Sequence, residues 1–444
     1  MKKAEDAPPY FLYTILFLAS LPTGCISREF NKELDHSKDS MIFAATAALQ
    51  RQVECSVIVA GGSTAALSAA LTSAREGQNT CLLEPTNWPG GQLSASAVSA
   101  VDFPHYSLNG VDMGVENRRP ENIAATFMSW INNLNNGSVN CWVTNIGCFE
   151  PINMLTTNIF PALKKEPNLH VYYSTVVKSV RTAGKVITAI NAISREPLRG
   201  DGYEDFLSKS LPDWYSEKDS AFFKKTLKTF KGVGSNVPVF IDATEFGDVM
   251  VLAGASFLQG VEKADGALDT EPGYDKAGQS TVFPFVISYN KSASTEPLNP
   301  LPTDHGDFYD LAPRNWDMVW RYRRIRGAGP SATPGDLSLQ NWNPGNDYPF
   351  GYLFKSRADT LAERSDWQGG IDMSALIGAE RNAYGFYYFM KNHKEAKNPN
   401  LFTLDKTALG TKTGLSKMPY LRDTRRSIGL KDFVLRYSHI SGPQ

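Results

Sequence analysis

The chain has 444 residues, 42% of them hydrophobic, which is enough for two or three packed units with ordinary cores. Lys and Arg number 45 against 46 Asp and Glu, a formal charge of -1. That balance removes the electrostatic case for nucleic acid or an anionic membrane and leaves a small-molecule substrate as the expected partner.

Lys2 and Lys3 precede the apolar run FLYTILFLASL (Phe11 to Leu21), and small residues follow in PTGCIS. The run is too short to span a bilayer as a helix, so residues 1–27 read as a signal peptide or a lipoprotein signal, the latter with lipid on Cys25. The chain is therefore expected to be exported (secreted, periplasmic or lipid-anchored), with no transmembrane span. Residues 28–52 are polar and read as a linker.

From Cys55 onward, a strand (55–60), a helix (64–76) and a second strand (79–84) form a βαβ unit, which calls for a parallel sheet. Cys55 and Cys81 each begin a strand and read as small buried hydrophobes. Cys141 and Cys148, in CWVTNIGC, are spaced to close a short disulfide loop in an exported chain. The six histidines lack partners at ligand spacing, so no metal site is expected.

The stretch LHVYYSTVVKSVRTAGKVITAINAI alternates β-branched and polar residues around the turn Thr182 to Lys185 and predicts a β-meander. Residues 197–236 lack steady periodicity and read as an insertion before the strand VPVFIDATEFGD. From about Ser256 to Thr411 the texture shifts to Pro, Asn, Trp and Tyr, with helices expected around Trp316 to Ile325 and Ala379 to Lys394. Asn136 and Asn290 lie in glycosylation sequons.

The first βα turn, VIVAGGSTAALSAA, places Gly61, Ser63 and Ala66 where a dinucleotide-binding turn needs a tight glycine, a small residue near the pyrophosphate and a close helix–sheet contact. Glu84 ends the second strand about 20 residues on, where an acid takes ribose hydroxyls. A second Gly-Gly follows at once in EPTNWPGGQLSASAVSAVDF, where a purely NAD-binding unit usually proceeds to its next helix.

These residues, with FIDATEFGD (Phe240 to Asp248), NPGNDYPFG (Asn343 to Gly351) and MPYLRDTRRSIGL (Met418 to Leu430), resemble the FAD-dependent oxidoreductase family of the two-dinucleotide-binding-domain flavoproteins. The resemblance implies an α/β fold: a Rossmann-like FAD-binding domain with parallel sheet and β-meander, plus a second α+β substrate domain. Its implied boundaries are 53–255 for the first part of the FAD-binding domain, 256–411 for a substrate or cap domain, and 412–444 for the return. It implies FAD as cofactor, with Gly61, Gly62, Ser63, Ala65 and Ala66 at the pyrophosphate and Glu84 at the adenosine ribose. Gly90, Gly91 and Gln92 would run along the diphosphate and ribityl chain, Val177 would offer backbone groups to the adenine, and Ala243, Thr244, Gly247 and Asp248 would bring the sheet back against the cofactor. The family pattern continues past the Arg-Arg segment into a strand and a glycine/alanine-rich helix that close on the flavin; here SHISGPQ follows instead, so a truncated flavin-closing element is expected.

RDTRRS places Arg422, Arg425 and Arg426 together, and on a helical turn Arg422 would share a face with Arg425 or Arg426. Beside a flavin such groups stabilise the reduced anion or grip a substrate carboxylate; the plainer reading is a solvated basic patch. Asp102 and His105, after the second Gly-Gly, are further candidates for catalysis, and their plainer reading is structural. No nucleophile elbow, P-loop or His-Glu-x-x-His occurs, which leaves hydrolase, NTPase and zincin readings without support. The expected function is an oxidoreductase transferring hydride between an organic substrate and flavin. Beside it stand a degenerate, non-catalytic binding protein that keeps the βαβ shell, and an NAD-dependent dehydrogenase, against which the Gly90-Gly91-Gln92 loop argues.

Overall fold

The structure, a computed structural model, describes residues 51–100, 107–108, 111–112, 125–134, 148–260, 279–294, 309, 311, 315–327, 329, 331–348, 353–422, 425–430 and 433–435. The chain divides into two units, Met1–Gln52 and Val53–Gln444, and the second carries all that follows. Cys25, Asp102, His105, Asn136 and Cys141 lie outside the described residues.

The second unit opens with β1 (Val57–Ala60), α1 (Thr64–Arg75) and β2 (Thr80–Leu83). All four residues of each strand are buried, as expected of strands covered on both faces of a parallel sheet. α1 turns Ala66, Leu67, Ala70, Leu71 and Ala74 inward, a small-residue face that lets the helix lie close to the strands. The next strand of this sheet is β3 (Leu169–Tyr172).

A meander follows: β4 (Thr175–Ala183), β5 (Val186–Pro197), then α2 (Leu207–Trp214) and β6 (Phe223–Lys231). The chain returns as β7 (Val239–Asp242) and enters α3 (Asp248–Leu252). The first sheet has the order β7-β1-β2-β3, and every pairing in it is parallel. The carboxyl ends of β1, β2 and β7 thus lie side by side, the place where open α/β sheets hold ligands.

The meander differs from expectation at its third strand. β6 lies inside the stretch read as an insertion, yet it pairs antiparallel with β5 over nine residues, from Ala189 opposite Lys231 to Pro197 opposite Phe223. Its sequence, FKKTLKTFK, hides the β pattern under lysines. Lys225 explains how one of them is tolerated: its ammonium is buried and donates to the Asp213 carboxylate at 2.5 Å.

The region from Ser256 carries an antiparallel sheet of β8 (Phe285–Tyr289), β9 (Arg324–Arg326), β10 (Leu337–Gln340) and β11 (Phe402–Leu404), in the order β9-β10-β8-β11. The helix Met373–Asn392 carries its buried aromatic residues to this sheet, with Phe386 and Tyr387 edge-on to Phe285. The helix expected to reach Ile325 spans Trp316–Tyr322, and Ile325 lies in β9 instead. Asn290 Nδ2 donates to Leu401 O and Thr403 Oγ1, so the sequon amide is committed to the sheet.

Cys55 and Cys81 are fully buried, as expected, but they are bonded to one another as a disulfide rather than packed as free thiols. Parallel pairing sets Ile58 opposite Cys81 and so brings the start of β1 beside β2. Cys148 is also disulfide-bonded. Replacing both Cys55 and Cys81 by Ala should cost about 2–4 kcal/mol in denaturant unfolding, the usual worth of a bridge closing a loop of this length. In denatured, unreduced protein both thiols should resist alkylation; full labelling of either would contradict the pairing.

Candidate functional site

The two glycine turns and the loop after β7 meet at the amino end of α1. Ser63 is the helix cap: its Oγ accepts from Ala66 N at 3.1 Å and donates to Ala243 O at 2.8 Å. A serine in the second glycine position thus satisfies an otherwise orphaned helix donor and ties the turn to β7. Thr64 Oγ1 donates to Gly90 O at 3.0 Å, and Gly90 N donates to Gly62 O at 3.1 Å. The second Gly-Gly therefore lies directly on the first.

These contacts leave no room for side chains. A Cβ on Gly61 would stand 2.1 Å from Ala243 O, one on Gly62 2.5 Å from Glu84 Oε1, and one on Gly91 2.7 Å from Ser63 Cα. Gly61 also has φ +118° and Gly91 φ +53°, regions that disfavour any L side chain. Ala65 is exposed on the first turn of α1, while Ala66 is buried beneath it. Gln92 is exposed in a short turn, Gly91–Leu93.

Val177 is buried in β4, and the pairing with β5 slips between Val177 and Ser179. Such a bulge releases backbone groups from the ladder at the position expected to serve the adenine. Ala243 N donates to Ala60 O at 2.9 Å, Gly247 (φ +67°) is the cap of α3, and Asp248 begins it. Gly61, Pro85, Val177, Thr244, Glu245 and Trp214 are among the residues that line a narrow cleft of about 20 Å³, room for roughly one water. A larger cleft of about 680 Å³ lies apart from the glycine turns, bordered by Arg199, Asp213, Phe222 and Lys412.

Glu84 is fully buried. Its Oε1 accepts from Thr86 N at 2.8 Å and Thr86 Oγ1 at 2.6 Å, while its Oε2 has no partner. A buried oxygen in that state is costly unless a ligand hydroxyl meets it. Burial, with repulsion from Glu245 adding to it, raises its pKa to about 8 against the pull of the Thr86 bonds. Burial likewise raises Glu245 to about 7 and Asp248 to about 6, and lifts Asp242 above its ordinary value. Asp248 Oδ1 accepts from Tyr215 Oη at 2.9 Å and Trp367 Nε1 at 2.5 Å. Sequence reasoning missed Glu245, Tyr215 and Trp214. The first stood within a quoted motif, and the other two sat in a stretch set aside as an insertion.

The arginine segment is placed otherwise than expected. Arg426–Ser427 pairs as a short strand with Phe257–Leu258, so Arg426 is not on a helical turn with Arg422. Arg422 holds Asp347 through two bonds, at 2.8 and 3.0 Å. Arg425 is buried and donates to the carbonyls of Phe246 and Gly370, to Thr360 Oγ1 and to Gln259 Oε1. Arg426 donates to Gly260 O at 3.3 Å. Neither a solvated patch nor a cluster aimed at one substrate describes Arg422 and Arg425: their donors brace the protein. Among the described residues no group of His, Cys, Asp and Glu is arranged for a metal, and no helix is long and apolar enough to cross a membrane.

The raised carboxylates set a pH dependence. A folded-state pKa above the unfolded value means that the neutral acid is favoured by folding, so stability is highest below about pH 4.5 for these groups and falls as pH rises through about 6 to 8. The melting temperature of the full chain should drop between pH 5 and 8.5, and Glu84→Gln should flatten the upper part of that fall. An unchanged slope in the variant would contradict the burial of an ionisable Glu84.

The donor set fits a dinucleotide: an unpartnered acid oxygen at the end of β2, a capped helix end and glycine cradles that a Cβ would fill. No curated protein matches the chain. Solved structures of low similarity include p-nitrophenol 4-monooxygenase PnpA from Pseudomonas putida DLL-E4 (12% identity, 54% of this chain, 48% of that one, TM-score 0.27). L-proline dehydrogenase from P. horikoshii is similar at 9% identity, over 55% of this chain and 62% of that one, with TM-score 0.28. The match spans about half the length of the first of these. The family model described as FAD dependent oxidoreductase matches residues 56–201 and 226–440. The chain belongs to the FAD-dependent oxidoreductase family, and its cofactor is FAD.

Proposed function

We propose that the protein is an enzyme that passes hydride between a small organic substrate and FAD. The observation that carries this reading is the buried Glu84, with one oxygen bonded and the other unpartnered, beneath Gly62 at the carboxyl end of the parallel sheet. The flavin supplies the redox chemistry when bound.

The chain's own residues bind and orient. The first turn of α1 offers backbone N–H groups and the positive end of the helix to the diphosphate. Glu84 Oε2, which has no partner in the protein, would accept a ribose hydroxyl, and the bulge at Val177 would leave backbone groups for the base. The packing of Gly90 and Gly91 on Gly62 and Ser63 supports a flavin dinucleotide over a nicotinamide one, since this second glycine turn would offer further backbone groups to the diphosphate. Asp248, held by Tyr215 and Trp367, keeps the loop after β7 in place.

We also propose that the chain is exported. The buried Cys55–Cys81 disulfide supports this, because such bonds persist in oxidising compartments.

FAD titration of the full chain tests the site. Glu84→Ala should weaken FAD about twofold to tenfold, the worth of a hydrogen bond to a neutral buried acid. Gly61→Val should abolish binding, since its side chain meets the Ala243 backbone. Wild-type affinity in either variant would remove the corresponding assignment.

A further inference from the structure

We infer that the cleft of about 680 Å³ beside α2 is a second binding site, for a peptide-like zwitterion with an apolar side chain. α2 separates this cleft from the glycine turns. Leu211 and Trp214 line the narrow cleft, with the Arg195 guanidinium carbon 4.2 Å from the Trp214 ring centroid, while Lys209, Ser210 and Asp213 line the large one. The family model leaves out residues 202–225, which hold most of the large cleft's wall. What the family shares therefore does not account for this cleft.

The frame around it is fixed. The Asp213 carboxylate accepts from the buried Lys225 ammonium at 2.5 Å and from Ser220 Oγ at 2.9 Å, which ties α2 to β6. Leu198 N donates to Phe222 O at 2.8 Å, and Lys412 N donates to Tyr203 O at 3.0 Å, so both rims are held by backbone bonds. Of the charged groups on the wall, Asp213 is thus spent on Lys225, and Asp205 pairs with Lys209 at 3.2 Å. Arg199, Lys412 and Glu204 remain, each exposed and without an ionic partner among the described residues.

These leftover charges select the ligand. A purely anionic one would meet Glu204, Asp205 and Asp213, and a purely cationic one would meet Arg199, Lys209 and Lys412; uncompensated like charges reject a ligand. A zwitterion satisfies both sets, with its carboxylate at Arg199 and Lys412 and its ammonium at Glu204. Phe222, 57% exposed, offers an apolar contact surface on the same wall. Three extended residues span about 10 Å, roughly the edge of a cube of the cleft's volume, so a tripeptide with free ends matches it in size as well as in charge.

The probe is leucyl-glycyl-phenylalanine, used with both ends free, as its N-acetyl form and as its C-terminal amide. Calorimetric titration of the full chain should show the free peptide binding and each capped form binding about fivefold more weakly, the upper worth of an exposed ion pair. Glu204→Gln should weaken the free peptide to the same degree and make acetylation indifferent, and the double variant Arg199→Gln, Lys412→Gln should do the same for amidation. A structural role would not produce this matching of cap to variant. The three side chains are exposed, so the variants should keep the wild-type melting temperature. Phe222→Ser should weaken all three forms alike. A free peptide that does not bind, capped forms that bind wild type as well as the free peptide does, or capping that costs the same in wild type and variants would each overturn the proposal. The titration needs no flavin, so a chain that fails to hold FAD leaves the peptide result intact.

Discussion

Three backbone segments approach at the amino end of α1 more closely than any side chain allows. The turn after β1, the turn at Gly90 and Gly91 and the loop after β7 touch through Gly61, Gly62 and Gly91, with the Ser63 hydroxyl bridging the helix to Ala243. The rest of the site follows from this crossing. It brings the exposed first turn of α1, the acid at the end of β2 and the Val177 bulge to one edge of the sheet. It also explains why glycine is kept where backbones collide, while Ser63 and Ala66 stand where glycine is more familiar. One acts as a cap, and the other fits under the helix with a methyl group.

The second feature is charge held out of water. Glu84, Asp242, Glu245 and Asp248 gather around the turn, each with its ionised form disfavoured by burial. Arg195 stands near them in an aromatic box, and burial lowers its pKa to about 10. Acids and arginine do not pair directly, so the site stays polarised and partly unsatisfied. That costs folding stability and leaves hydrogen-bonding capacity for a ligand, the trade expected where binding rather than packing sets the residue types. The arginines near residue 425 are the opposite case. Arg425 spends its donors on carbonyls of two separate segments, at Phe246 and at Gly369 and Gly370, which makes it a brace for the region that returns to the sheet.

The βαβ unit was legible because VIVA and TCLL are apolar runs of strand length and α1 repeats small apolar residues at helical spacing. The glycine turns were legible because a glycine that must avoid a backbone cannot be replaced, so the pattern persists in the sequence. The third meander strand was not legible, since Lys225 is buried by a partner, Asp213, that only the fold supplies. Trp214 and Arg195 were missed for a related reason: one sits in a segment without periodicity and the other ends a strand, and only the tertiary approach of α2 to Pro85 makes them neighbours. The disulfide was missed because Cys55, just before one strand, and Cys81, within the next, look like core residues, and the register that sets Ile58 opposite Cys81 does not by itself reveal that they bond. The arginine triplet misled because proximity in sequence says nothing of where each donor is spent.

The most direct measurement of the central claim is the visible absorption spectrum of the purified full chain after incubation with FAD and removal of the free excess. The account predicts a retained flavin spectrum at one FAD per chain. A folded but colourless protein would contradict it.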